Sequence, residues 1–280
     1  MAESESKEKT PYVNETLPER YCECWESEDE EEPGDPDCGC GEEREIVDWR
    51  WKLPRKSPRW ADLFEDGKLV VFHPLFSSGT ATVRGNIVLK RNYNYYWEVK
   101  MMTHPYGTDV MVGVGTRNIP ETVRDYTSCI GNSHDSYGLS YTGAICQNKE
   151  VVDDCPGFCK GTIIGVMVDM FRGTLEFYLN REPQGLTFTD LLRHKTLYPV
   201  VSSTAALSAL RLTYASSWES SLMVNSARML AASESGMKFL ENMPPGLIST
   251  MDEHFWLVML SAGKVEPRPV RKRVRECRRF

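Results

Sequence analysis

Nine cysteines and five histidines are the side chains of this sequence best able to attack a carbonyl, shuttle a proton or hold a metal. Cys22, Cys24, Cys38 and Cys40 form two C-x-C pairs, a thiol set that suggests zinc. Their spacing departs from the C-x₂₋₄-C of zinc modules, and the surrounding acids favour an unstructured tail. Cys155 and Cys159 fall in a Pro-Gly loop with no histidine pair nearby and are read as structural or incidental. His73, His104 and His134 lie in loops, none in a metal spacing and none beside a serine or cysteine nucleophile motif. Val112-Gly-Val-Gly115 begins like a nucleotide loop, yet the last position of G-x-G-x-x-G is Asn118 and no βαβ unit surrounds it. No P-loop or paired-carboxylate pattern is found either. The expectation is a protein with no catalytic residue, no metal and no cofactor.

Recognition is the chemistry that remains, and the scaffold for it is plain in Gly161 to Asn180. Two runs rich in β-branched and aromatic residues, Ile163 to Val168 and Thr174 to Leu179, flank a turn supplied by Asp169, Arg172 and Gly173. In the second run Leu175, Phe177 and Leu179 alternate with Thr174, Glu176 and Tyr178, the period of a strand with one buried face. Asp169 is therefore assigned to the turn and Glu176 to the solvent face. Further strands are predicted at 68–72, 79–84, 95–101, 109–115, 137–141 and 198–202. Short strands at this spacing, with Gly and Asn turns and no helical period between them, predict a mainly β protein built as an antiparallel sandwich. Its core candidates are Trp97, Val99, Val112, Val114, Val166, Val168, Leu175 and Phe177.

Charge divides the chain. Residues 1–45 hold 17 acidic and 4 basic side chains, residues 264–280 hold 8 basic and 2 acidic, and the middle is neutral. A neutral fold between charged tails does not resemble a nucleic-acid-binding domain, whose basic patch would lie on the folded part. The acidic tail, with its run Glu26 to Glu32, holds too little apolar surface to offset ordering entropy and is expected to be disordered. From Ile46 onward Trp49, Trp51 and Trp60 bring large apolar area, and Pro54 and Pro58 prevent a helix, so this lead-in segment should pack on the domain. No run of about 18 apolar residues is present and the N-terminus has no apolar h-region, so neither a membrane span nor a secretory signal is expected. The cytosol or nucleus follows, with free thiols. Arg271 to Arg275 suit a nuclear import signal, a nucleic-acid contact or a solubilising tail.

At Ser216 the pattern turns helical, with Leu222, Ser226, Met229 and Leu230 on one face and Ser217 or Ser220 available as a cap. Ser235-Gly236 and Met243-Pro-Pro-Gly246 divide the remainder into short helices. The alternative for this region is a pair of amphipathic helices that merely cap the sandwich.

The segments YYWEVK (95–100), GTDVMVGVGT (107–116), DSYGLSYTG (135–143), GTIIGVMVDMFRGTLEFYLN (161–180) and LYPVVS (197–202) together resemble the SPRY (B30.2-like) domain, over roughly residues 60–214. Ser221-Leu222-x₃-Ser226-x₃-Leu230 looks like the elongin-binding box of a SOCS box, and Met243-Pro-Pro-Gly-Leu247 is similar to the cullin box that follows it. The chain thus resembles the SPRY domain-containing SOCS box proteins, above all their type-three members. The division implied is an acidic tail over 1–45, a SPRY domain with its lead-in over 46–215, a small α-helical SOCS box over 216–260 and a basic tail over 261–280.

What the resemblance implies is a non-catalytic substrate receptor of a cullin-RING ubiquitin ligase, with elongin B/C, cullin 5 and a RING protein as partners. Leu222, Ser226 and Leu230 would meet elongin C, and Met243, Pro244, Pro245 and Leu247 the cullin. A short Asn-containing motif of the substrate would lie across Phe72, Pro74 and Phe76, Gly107 and Thr108, Tyr126 and Cys129, and Thr204, Ala205 and Ala206. Four places depart from the family pattern. Ser226 replaces the box cysteine, and its hydroxyl costs about 1 to 3 kcal/mol if buried unsatisfied. Phe72 stands where relatives have an arginine and Ala205 where they have a tryptophan, which implies a motif differing from their Asp-Ile-Asn-Asn-Asn ligand. Glu241-Asn242 replaces the first Leu-Pro of the cullin box. The rival expectation is an interaction scaffold whose degenerate box no longer couples to a ligase.

Overall fold

A computed structural model describes residues 17–22, 24, 38–53, 60–231, 244–246, 248–249, 254–257 and 259. The first strands are β1 (Trp51–Lys52), β2 (Ala61–Phe64), β3 (Leu69–Phe72), β4 (Thr80–Gly85) and β5 (Tyr93–Met101). The middle of the chain forms β6 (Val110–Gly115), β7 (Thr122–Val123), β8 (Ser136–Ser140), β9 (Ala144–Gln147) and β10 (Glu150–Asp154). Then come β11 (Ile163–Asp169), β12 (Thr174–Leu179), β13 (Glu182–Phe188), β14 (Tyr198–Ser203) and β15 (Ser208–Glu219), followed by helix α1 (Leu222–Ala231).

Two antiparallel sheets stack face to face. One runs β1-β4-β14-β6-β8-β9-β10, with β7 attached to β4, and the other runs β13-β12-β11-β5-β15-β3-β2. All eight core candidates are fully buried between them. The β11–β12 hairpin pairs Val166 with Phe177 and Val168 with Leu175, and on its other side Val166 lies opposite Trp97 of β5. Trp49 and Trp51 are buried as the lead-in segment requires, with Trp49 edge-on to Trp97 at 5.9 Å. The glycines of Val112-Gly-Val-Gly115 lie within β6, where a Cβ on Gly113 would come 2.0 Å from the carbonyl of Tyr137 on the neighbouring strand. They permit a close strand approach and form no phosphate loop.

Three expectations are corrected. The helical region does not begin at Ser216: β15 continues to Glu219, which pairs with Tyr93, and the helix starts at Leu222. A register shift between Leu212 and Tyr214 breaks the alternation of β15, so its period is not readable from sequence. The cap is Ser221, whose Oγ accepts the Val224 N–H at 3.3 Å. The third correction concerns the hairpin itself. Glu176 and Tyr178, assigned to solvent, are 4% and 0% exposed. The outer face of this sheet is covered by a second apolar cluster of Tyr96, Met167, Tyr178, Tyr214, Val224 and Trp256. Trp256 stacks on Tyr96, and Val224 brings α1 onto the same face.

Parts of the tail expected to be disordered also pack there. The Tyr21 N–H donates to the Gly161 carbonyl at 3.1 Å, and the Thr162 hydroxyl donates to the Glu19 carbonyl at 2.6 Å. Residues 38–45 lie alongside, and the remainder of the tail and residues 261–280 fall outside the described residues. Arg181 joins the pieces. It donates twice to the wholly buried Glu98, at 2.9 and 3.0 Å, and to the Tyr21 hydroxyl and Gly41 carbonyl, and it stacks on Phe255. Burial works against its charge, but the hydrogen bonds and charge of Glu98 hold its pKa above the ordinary guanidinium value.

Candidate functional site: the loop rim and the exposed helix face

Four loops converge at one edge of the sandwich because strand ends deliver them there: 73–79 between β3 and β4, 102–109 between β5 and β6, 124–135 between β7 and β8, and 204–207 between β14 and β15. Side chain to backbone bonds tie them together. The Tyr126 hydroxyl donates to the Ser77 carbonyl at 2.9 Å, the Ser77 hydroxyl to the Thr204 carbonyl at 2.5 Å, and the Tyr106 hydroxyl to the Ala206 carbonyl at 2.6 Å. His73 is buried, with Nε2 3.0 Å from the Ser203 carbonyl, and burial lowers its pKa against that hydrogen bond.

Beneath the rim lies a polar floor. Asp109 is buried, its carboxylate accepting hydrogen bonds from the hydroxyls of Ser140 and Ser128. Burial pushes that carboxyl above its ordinary value, and the two hydroxyls and the Val110 N–H pull it back. The Asp109 N–H donates to Thr204 Oγ1 at 3.0 Å, and the Thr204 N–H returns a bond to the Asp109 carbonyl at 2.9 Å. Gly107, at φ +81°, sits over this pair. A Cβ there would be both strained and 3.1 Å from Thr204 Oγ1, so glycine keeps its backbone open to an approaching chain.

Of the residues singled out from sequence, Phe76 and Tyr126 are 71% and 49% exposed, Gly107 and Thr108 are exposed, and Pro74 and Ala206 are half-buried at the rim. Thr204 and Ala205 form the floor. Phe72 and Cys129 lie deeper. Phe72 is wholly buried in the main core, opposite Ala61 and Ser208, and Cys129 packs with Met111, Ile130 and Cys146. Their side chains support the loops from below: Phe72 follows the inward alternation of β3, and Cys129 turns from its loop into the small apolar cluster beneath. The sequence reading missed Leu75, Tyr106 and Leu207, which are 73%, 52% and 58% exposed, and the buried Asp109. Leu207 holds φ +57°, an uncommon value for a non-glycine residue that nothing in the sequence announces.

Away from the rim, α1 divides its residues cleanly. Val224 is fully buried and Arg228 reaches Asp169 at 3.2 Å, while Leu222 is 84% exposed and Ser226 and Met229 are exposed with it. Pro244 and Pro245 are exposed as well, whereas Met243 and Leu247 lie outside the described residues, as do the side-chain surroundings of Leu230.

Residues 94–215 match the SPRY domain family. The sandwich is a SPRY domain. The chain is homologous to SPRY domain-containing SOCS box protein 3 of Xenopus laevis, with 35% identity over 234 residues that span 81% of this chain and 64% of that relative. The match therefore covers somewhat less than two thirds of the relative's own length. Against SPRY domain-containing SOCS box protein 1 of Homo sapiens the identity is 29% over 160 residues, spanning 54% of this chain and 58% of that one. Among solved structures, the TRIM65 PSpry domain aligns with 60% of this chain and 90% of its own at 24% identity and a TM-score of 0.48. Among the described residues, no helix is long and apolar enough to cross a membrane.

Proposed function

We propose that this SPRY-domain protein is the substrate-recognition subunit of a cullin-RING ubiquitin ligase. The rim carries the reading: exposed Leu75, Phe76, Tyr106, Tyr126 and Leu207 ring a floor of open backbone and buried polar groups. Such a surface suits a short linear motif whose aliphatic and Asn side chains are buried together. An Asn amide carries two donors and an acceptor, and burying it without partners is costly, so a site with carbonyls and hydroxyls facing the ligand selects for it. Phe72 and Ala205, being buried, remove a charged and a bulky side chain from that floor, which supports a motif shaped differently from Asp-Ile-Asn-Asn-Asn.

The second half of the reading rests on α1. Leu222 and Ser226 are four residues apart on an exposed face while Val224 anchors the helix, so the presented face is free to dock elongin C. The exposed Pro244 and Pro245, with Met243 and Leu247, would meet cullin 5 with its RING protein. The chain itself performs no chemistry and supplies proximity between substrate lysines and a charged ubiquitin-conjugating enzyme. Co-expression with elongin B/C tests the proposal: a stable ternary complex is expected, tightened by Ser226→Cys. Failure of both the parent chain and the Ser226→Cys variant to form it would leave a SPRY interaction scaffold instead.

A further inference from the structure

The two C-x-C pairs, dismissed on their spacing, meet in space. The four Sγ atoms of Cys22, Cys24, Cys38 and Cys40 all lie within 4.8 Å of one another. Cys22 faces Cys38 at 3.3 Å and Cys24 faces Cys40 at 3.6 Å. A disulfide needs sulfurs about 2.05 Å apart, well short of either distance. A zinc ion bound by four thiolates at about 2.3 Å sets its sulfurs about 3.8 Å apart along every tetrahedral edge. The cluster has the size of that tetrahedron, and its ligands come from two short segments rather than from one C-x₂₋₄-C loop.

The sandwich holds both segments in place. Lys100 of β5, wholly buried, donates from Nζ to the carbonyls of Cys38 and Cys40 at 2.5 and 3.0 Å and to Glu42 at 3.1 Å. On the other side the Tyr21 N–H is fixed to Gly161, and the Glu19 carbonyl accepts from Thr162 and Asn180. The Cys38–Cys40 segment is thus positioned by the Lys100 side chain of β5, and the segment leading to Cys22 and Cys24 by contacts at the open end of the β11–β12 hairpin. Segments this short have no core of their own, and a metal cross-link is a common way to hold such pieces.

We propose that Cys22, Cys24, Cys38 and Cys40 bind a structural zinc ion. Four thiols release four protons to solvent as one Zn²⁺ forms a four-coordinate dianionic centre, with no redox change and no open position for substrate. The buried Lys100 ammonium lies beside this dianion and offsets part of its charge. The ion staples residues 17–22 and 38–45 to the outer face of the β11–β12 sheet, where Arg44 stacks on Phe255 at 4.9 Å. The zinc therefore stabilises the surface on which the C-terminal segment docks. The proposal does not depend on the ligase reading.

The test is elemental analysis of the full-length chain purified without an affinity metal, together with thiol counting. About one zinc per chain is expected, released by a mercurial with concurrent exposure of thiols, and replaceable by Co²⁺ to give tetrahedral thiolate absorption. Cys24→Ser/Cys40→Ser should lose the metal, and Cys155→Ser should keep it. Because the double variant has the potential to misfold, hydrogen exchange of the parent chain with and without chelator provides an independent readout. Protection should fall in residues 17–22 and 38–45 and persist in β5 and β11. A metal-free parent chain with four freely reactive thiols, or one with two disulfides, overturns the proposal; so does zinc retained by Cys24→Ser/Cys40→Ser.

Discussion

Replacing Leu222 with alanine separates the two faces of α1. The side chain is 84% exposed in the free protein, so its loss should change stability by no more than about 0.5 kcal/mol. If elongin C buries it, the substitution removes three carbons, each worth about 0.8 kcal/mol on transfer from water. The result is a loss of about 2.4 kcal/mol, or roughly 60-fold in affinity. Val224→Ala is the matched control. Val224 is fully buried against Tyr96, Met167, Tyr178, Tyr214 and Trp256, so removing two carbons and leaving a cavity should cost about 2 kcal/mol of stability without touching the exposed face. The assay is titration calorimetry of the purified chain with elongin B/C, alongside thermal melts of each variant. Parental affinity in Leu222→Ala would refute the assignment of the exposed face, as would a Leu222→Ala chain that melts early.

Three further outcomes follow from the same structure. Tyr126→Ala, at a half-exposed rim position whose hydroxyl donates to the Ser77 carbonyl, should leave the melting temperature nearly unchanged and abolish capture of Asn-containing peptides on an array; unchanged binding would remove Tyr126 from the site. Arg181→Ala strands the wholly buried Glu98 with the Tyr96 hydroxyl, and breaking a buried pair from one side costs about 3 to 5 kcal/mol. At about 2 to 4 °C per kcal/mol the melting point should fall by roughly 6 to 20 °C, with partial recovery in Arg181→Ala/Glu98→Gln. The third outcome concerns pH. Burial lowers the pKa of His73, and burial with the charge of Arg193 lowers that of His194, so below about pH 6.5 the unfolded chain takes up protons that the folded one does not. Stability present above that pH is therefore lost as pH falls, and His73→Gln should flatten the melting-temperature profile between pH 7.5 and 5.5.

Much of the scaffold was legible because a two-residue period has one dominant cause. In the hairpin, Leu175 and Phe177 alternate toward the inter-sheet core, and every core candidate chosen on that pattern is buried. The rule failed where a strand serves two layers. Glu176 and Tyr178 read as solvent-facing since they are polar or amphipathic, yet a cover of C-terminal aromatics buries them and the Tyr178 hydroxyl donates to Glu176 at 2.8 Å. The strand β15 was missed for a related reason: its bulge shifts the alternation midway, and local sequence carries no mark of the register its partner imposes.

The candidate sites divide in the same way. Sequence by itself placed Phe76, Gly107, Tyr126 and Thr204 in loops between strands and put Leu222 and Ser226 on one helix face, because turn chemistry and helical spacing are local. Tertiary structure alone decided which of them face solvent. It sank Phe72 and Cys129 beneath the rim, brought Leu75, Tyr106 and Leu207 to its surface and gathered four cysteines into one cluster. Charge density along the chain argued for a solvated N-terminal tail. Lys100, buried, and Arg181, partly buried, distant in sequence and brought together by strand pairing, instead supply the cations that hold residues 38–41 against the sandwich, an interaction that exists only once the sheet has formed.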